Sequence, residues 1–194
     1  MGNAGENMST LHILPCLDSE RMAKSRRQEL NIPRSVAAAL GRSAVEATRK
    51  GLYVTQAGQE VVWRDAVQAA CAAKLSIAPD ATLTSSERNA FMETQVQVTN
   101  ETTLGASLRL VERGARPLAL NFANGIHPGG GFLNGARAQE EVLCRSSALY
   151  QTLVGDPMYE EHRTMHKAIQ GEKLTGQGHG AGGTGPFGTL HSRM

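Results

Sequence analysis

Residues 127–141 read His127-Pro128-Gly129-Gly130-Gly131-Phe132-Leu133-Asn134-Gly135-Ala136-Arg137-Ala138-Gln139-Glu140-Glu141, and they hold the residue types from which a reaction could be built. Three consecutive glycines can take backbone dihedrals closed to other residues and let a ligand come close to the main chain. Successive N–H groups in such a loop form an anion-binding concavity, the usual device for a phosphate or diphosphate. The adjacent carboxylates of Glu140 and Glu141 place acid chemistry beside that anion site. The plain alternative for this pair is an acidic first helical turn, favourable against the helix dipole. A glycine loop directly before it tips the reading toward a site. On a helix the two side chains leave the axis about 100° apart, so they are not expected to share one job.

A loop and two side chains need elements to hold them. The run Leu118-Ala119-Leu120-Asn121-Phe122-Ala123 is apolar on both faces apart from Asn121, which predicts an interior strand feeding the loop. Beyond the loop, a helix from about residue 138 to 154 is expected to bury Val142, Leu149 and Leu153. Upstream, Thr94-Gln95-Val96-Gln97-Val98 alternates with period two, as a half-exposed strand does. Thr99 or Asn100 can cap the next helix, whose first turn carries Glu101. Leu104, Leu108 and Val111 form its apolar stripe and Gly114 its stop. Strand, helix, strand at this spacing implies a parallel pair with a right-handed crossover. In such sheets ligands sit outside the carboxyl ends of the strands, where the glycine triplet falls.

Residues 1–30 are polar and irregular and read as a flexible leader. Pro33 suits a first helical turn, and Val36, Ala37, Leu40, Ala44 and Ala47 recur at helical spacing. Residues 52–54 and 60–63 read as short strands around a turn at Ala57-Gly58, and the alanine-rich stretch 65–74 as a helix. Asp156-Pro157 starts a further helix over 158–170. Residues 171–194 are so rich in glycine that they cannot bury enough apolar surface to order, and a disordered tail is expected. The domain of interest is therefore 31–170.

A chain of 194 residues, 40% of them hydrophobic, suffices for one core. A net charge of +2 with both signs interspersed gives no dedicated nucleic-acid surface, and Lys24-Ser25-Arg26-Arg27 reads as solvated surface. Cys16, Cys71 and Cys144 are odd in number and lack ligand spacing, which fits a reducing compartment. No apolar run approaches the ~20 residues that cross a bilayer. No secretory pattern is present, so a cytoplasmic or nuclear location without membrane contact is expected.

The segment Pro128-Gly129-Gly130-Gly131-Phe132-Leu133-Asn134-Gly135-Ala136-Arg137-Ala138-Gln139-Glu140-Glu141 resembles the signature of the microbial-type poly(ADP-ribose) glycohydrolases, which are macrodomain enzymes. The resemblance extends through residues 98–103 and 145–150, and more weakly through about 35–63. It implies an α/β, macrodomain-like mixed or parallel sheet with flanking helices, preceded by a helical N-terminal extension. Family members carry further strands and a second ligand-binding loop; the likeness here stops near His166, so the fold is expected to be incomplete on its C-terminal side. A parallel sheet cut there would leave an unpaired edge.

By the same resemblance, Glu141 is the acid and Glu140 hydrogen-bonds ribose hydroxyls, while Gln139 positions. Gly129, Gly130, Gly131 and the backbone near Phe132 would hold the diphosphate and distal ribose, with Asn124 as a ribose contact. The implied reaction is hydrolysis of the ribose–ribose O-glycosidic bond in poly(ADP-ribose), which releases ADP-ribose. The implied partner is ADP-ribose or a poly(ADP-ribosyl)ated protein, and no metal or other cofactor is called for. Breaking a ribosyl bond passes through an oxocarbenium-like state, which wants a proton on the leaving oxygen. A neighbouring carboxylate, burial and a nearby diphosphate favour a carboxyl that keeps its proton; a helix N-terminus opposes it. A module that binds ADP-ribose without cleaving it, or an inactive truncated fragment, is the rival reading.

Weaker signals surround this site. His127 reads as an exposed loop residue. His162 and His166 stand four apart, the spacing of a zinc pair, but Arg163 replaces the glutamate of a metalloprotease helix and no third ligand is evident. Residues 180–185 spell G-x-G-x-x-G with no strand before and no helix after, and the triplet lacks the Gly-Lys-Ser/Thr of a nucleoside-triphosphatase loop. Tyr53 and Trp63 read as local core.

Overall fold

The computed structural model describes residues 10–82 and 91–174. Its elements are helical for the most part, with two small sheets. Strand β1 (Thr10–Ile13) and helices α1 (Glu20–Leu30) and α2 (Arg34–Lys50) come first. The hairpin β2 (Leu52–Val54) and β3 (Glu60–Val62) follows, then α3 (Arg64–Ala72), β4 (Glu93–Val96) and α4 (Thr103–Glu112). A 3-10 turn, Phe132–Asn134, leads into α5 (Gln139–Arg145), α6 (Leu149–Leu153) and α7 (Pro157–Leu174). The architecture is mixed α/β, a small parallel sheet with flanking helices, as expected. Among the described residues no helix is long and apolar enough to cross a membrane.

Helix α2 is the platform of the core. Its small residues Ala37, Ala38 and Gly41 are buried and let the 3-10 turn and α5 pack closely against it. Phe132 is 1% exposed, and its ring lies 4.9 Å from that of Tyr150 on α6. Leu143 and Cys144 of α5 and Tyr159 of α7 complete the buried set. On the other side of α2 the hairpin docks through Trp63, whose Nε1 donates to the Ala47 carbonyl at 3.1 Å while its ring meets Tyr53 edge-on. The two rings pack on each other at the surface rather than in the core that the sequence predicts for them: Tyr53 is exposed and Trp63 half-buried.

Several expectations are corrected. The leader is not featureless: β1 pairs in parallel with β4, Thr10 opposite Glu93. Helix α1 is capped by Ser19, whose hydroxyl accepts from the Met22 N–H. The basic run is solvated surface, as expected, where Arg27 reaches Glu20 at 2.9 Å and Arg26 pairs with Glu29. Thr102, rather than Thr99 or Asn100, caps α4 by accepting from the Gly105 N–H. Leu108 and Val111 of α4 are exposed rather than a buried stripe.

The largest difference concerns residues 117–123. The interior strand expected there is irregular chain, and β4 takes β1 as its parallel partner instead. Leu118, Leu120 and Phe122 are 100%, 68% and 70% exposed. Strand preference is largely a preference for packing against cross-strand neighbours, and no strand lies alongside this run among the described residues. The helix expected over 138–154 is broken into α5 and α6. Ser147 explains the break: its hydroxyl donates to the Leu143 carbonyl and accepts from the Leu149 N–H, replacing helical bonds. Val142, Leu149 and Leu153 are half-buried rather than buried. Helix α7 runs to Leu174; of the expected disordered tail, residues 175–194 and the G-x-G-x-x-G match within it lie outside the described residues.

Candidate functional site

The glycine loop is a stack of overlapping turns. Gly130 N–H donates to the His127 carbonyl at 2.9 Å, Phe132 N–H to Gly129, Asn134 N–H to Gly131, and Gly135 N–H to Phe132. Gly129 and Gly130 have φ of 70° and 56°, two successive left-handed residues that require glycine. The far end of the loop is tied to the N-terminal helices. Arg34 Nε donates to the Asn134 carbonyl at 2.9 Å, and Arg137 Nη1 to Asn31 Oδ1 and the Ile32 carbonyl.

Both glutamates turn inward toward this loop. Glu140 is 3% and Glu141 9% exposed. Glu141 Oε1 accepts from the Gly131 N–H at 3.1 Å. Glu140 Oε2 accepts from the Asn124 N–H at 2.8 Å, and its Oε1 from Asn121 Nδ2 at 3.3 Å. A β-carbon built on Gly130 would lie 2.3 Å from Glu141 Oε1 and 3.4 Å from Glu140 Oε2. The two carboxylates thus converge on one glycine, although their Cα–Cβ bonds diverge around the helix. The long glutamate side chains and a bare glycine backbone close the gap.

The surroundings are dry and anionic. Burial, then the Glu140 and Glu141 carboxylates, push the Cys144 thiol up to about 12, so it stays protonated at neutral pH and is no nucleophile. Burial, then Glu140, Cys144 and Asp156, push the Tyr159 phenol up to about 12 as well. Its buried hydroxyl has no partner among the described residues. Arg145, at the end of α5, is a buried cation. Burial lowers its guanidinium from the usual value while Glu141 acts the other way, and its Nη1 donates to the Ala136 carbonyl at 3.2 Å.

The other predicted site residues have defined places. Gln139 is a brace: its Oε1 accepts from the Phe122 N–H at 3.0 Å, and its Nε2 donates to the Leu120 carbonyl at 2.7 Å and to Thr103 Oγ1 at 3.3 Å. It thereby supplies part of the backbone pairing that a neighbouring strand would give to residues 120–122. Asn124 commits its side-chain carbonyl to the Ile126 and His127 N–H groups, and touches Glu140 through its own N–H. The Phe132 side chain is core, and its N–H is bonded within the loop.

The cradle of three glycine N–H groups expected from the triplet is not presented. Gly130 and Gly131 donate within the protein, and the Gly129 N–H alone of the three has no partner among the described residues. The turn back to His127 takes the Gly130 donor and the Glu141 carboxyl takes that of Gly131, donors that an open nest would leave free. His162 and His166 do not form a pair: the first reaches the Gly125 carbonyl and the second Gln170. Sequence reasoning passed over Tyr159, Cys144 and Arg145. Asn121 had a visible signal, a lone amide in an apolar run, and it lies on Glu140 with its Oδ1 buried and without a partner among the described residues.

The family described as microbial-type PARG, catalytic domain, matches residues 41–174. Among solved structures, the chain is similar to poly(ADP-ribose) glycohydrolase (PARG) from Thermomonospora curvata. The two are 35% identical with a TM-score of 0.58, over 68% of this chain and 50% of that one. The same bacterial enzyme bound to the inhibitor ADP-HPD is 30% identical with a TM-score of 0.52, over 68% and 48% of the respective chains. The chain therefore spans about half the length of the structures it matches. No curated protein matches it. Together with the buried Glu140–Glu141 pair set against a glycine loop, these likenesses place the chain in the microbial-type poly(ADP-ribose) glycohydrolase catalytic-domain family.

Proposed function

We propose that this chain carries the acid and the ligand-facing loop of a poly(ADP-ribose) glycohydrolase, which hydrolyses ribose–ribose O-glycosidic bonds and releases ADP-ribose. The observation that carries the reading is the convergence of two buried carboxylates on Gly130. Glu141 gives its proton to the leaving ribose oxygen as the C–O bond breaks. Water then adds to the ribosyl cation and returns a proton to Glu141. Glu140, fixed by Asn124 and Asn121, receives the ribose hydroxyls. Glycines at 129–131 let the diphosphate and distal ribose approach the main chain; with Gly130 and Gly131 N–H engaged, closeness of approach matters more than an array of donors. A relative solved with the inhibitor ADP-HPD supports a ligand site in the shared fold.

The second reading is a module that binds ADP-ribose, or a poly(ADP-ribosyl)ated protein, without turnover. It is favoured by the chain's covering only half of the relatives' length. Release of free ADP-ribose from a poly(ADP-ribosyl)ated protein, lost in Glu141→Gln, supports hydrolysis. Binding of ADP-ribose by calorimetry with no release supports the module, and neither signal would overturn both.

A further inference from the structure

Helix α7 reaches the chain just before the glycine loop through His162 and Arg163. Tyr159, His162 and Arg163 stand at positions i, i+3 and i+4 and share one face of this helix. Tyr159 is buried within the field of Glu140. His162 Nδ1 lies 3.0 Å from the Gly125 carbonyl, and Arg163 Nη1 donates to the next carbonyl, Ile126, at 3.1 Å. The contact is close: a β-carbon on Gly125 would stand 2.9 Å from His162 Nδ1. Arg163 is itself oriented by Glu160, at 2.7 Å.

These carbonyls belong to the turn that fixes Glu140. Asn124 Oδ1 accepts from the N–H groups of Ile126 and His127, and the Asn124 N–H is the shorter of the two bonds to the Glu140 carboxylate. The His127 carbonyl in turn receives the Gly130 N–H. Peptide units 125 and 126 are therefore held from α7, and whatever rotates them moves the donor on Glu140 and the start of the glycine loop together.

We propose that His162 and Arg163 form a clamp of positioning residues that sets Glu140 through the 124–127 turn. The clamp acts on the site read above as the ribose-facing one, so its catalytic consequence rests on that reading. Its geometric consequence does not. Three variants test it in the full chain: His162→Phe, which keeps a ring and removes the donor; Arg163→Met, which keeps the stem; and His162→Asn, whose amide N–H can stand near the place of Nδ1.

Amide hydrogen exchange at Asn124, read against the amides of α5, separates the roles. The expected result is faster exchange at Asn124 in His162→Phe and Arg163→Met with residues 142–144 unchanged, and recovery in His162→Asn. Turnover of poly(ADP-ribosyl)ated protein is expected to fall by ~10-fold in kcat with little change in KM, since misplacing a reacting group acts on the chemical step. Unchanged exchange at Asn124, or faster exchange throughout α5 as well, overturns the clamp. Expected exchange in a protein that releases no ADP-ribose leaves the clamp standing and overturns the hydrolase reading instead.

Discussion

Replacing Gly130 by alanine separates backbone strain from the carboxylate contact, because the chain contains its own control. Gly130 and Gly58 both have positive φ, 56° and 79°. A β-carbon at Gly58 meets nothing within 4 Å, whereas at Gly130 it meets Glu141 Oε1 at 2.3 Å. The left-handed conformation alone costs an alanine about 1–2 kcal/mol, and this is the whole effect expected of Gly58→Ala. At Gly130 the Glu141 carboxylate must also retreat by about 1 Å, a displacement on the scale that costs an active site up to ~100-fold in rate. That retreat breaks its bond from the Gly131 N–H. Leaving a buried donor or acceptor without its partner costs about 1–3 kcal/mol. Gly130→Ala should therefore be less stable than Gly58→Ala by about 2 kcal/mol. Urea denaturation measures both variants, and ADP-ribose release measures the catalytic effect. Equal destabilisation by the two alanines would refute the contact between Gly130 and the carboxylates.

Two further outcomes follow from the electrostatics. Cys144 is fully buried with its thiol pushed up to about 12, whereas Cys16 is exposed; at pH 8 a thiol reagent should label Cys16 and spare Cys144 in the native protein, and rapid native labelling of Cys144 would contradict its placement. Arg109 first, then Thr99, holds the Glu101 carboxyl down at about 2 from an ordinary 4.5. The stability from this pair is present above the ordinary value and is lost as pH falls through about 2. Glu101→Gln should remove about 1 kcal/mol at pH 7, a modest figure because the pair is partly solvated. The gap between the variant and the parent should narrow in denaturation curves taken below pH 4.5, and a gap that stays constant with pH would refute the assignment.

The residue pattern by itself determined the local elements: the α2 periodicity over Val36 to Ala47, the hairpin around Gly58, the α4 stop at Gly114 and the Gln-Glu-Glu helix start. Each of these depends on dihedral preference and on side chains only a few residues apart, so a linear reading reaches it. Family membership was legible for the same reason, since residues 128–141 carry it in one continuous stretch. Tertiary structure alone decided whether residues 117–123 have a strand beside them, because an apolar run becomes a strand only when another backbone offers its hydrogen bonds. It also decided the environment of the glutamates. Their convergence on Gly130, the bond from Asn121, the burial of Cys144 and Tyr159 nearby, and the grip of α7 on Gly125 and Ile126 join residues far apart in sequence. Long-range packing brings them together, and no local periodicity encodes that packing.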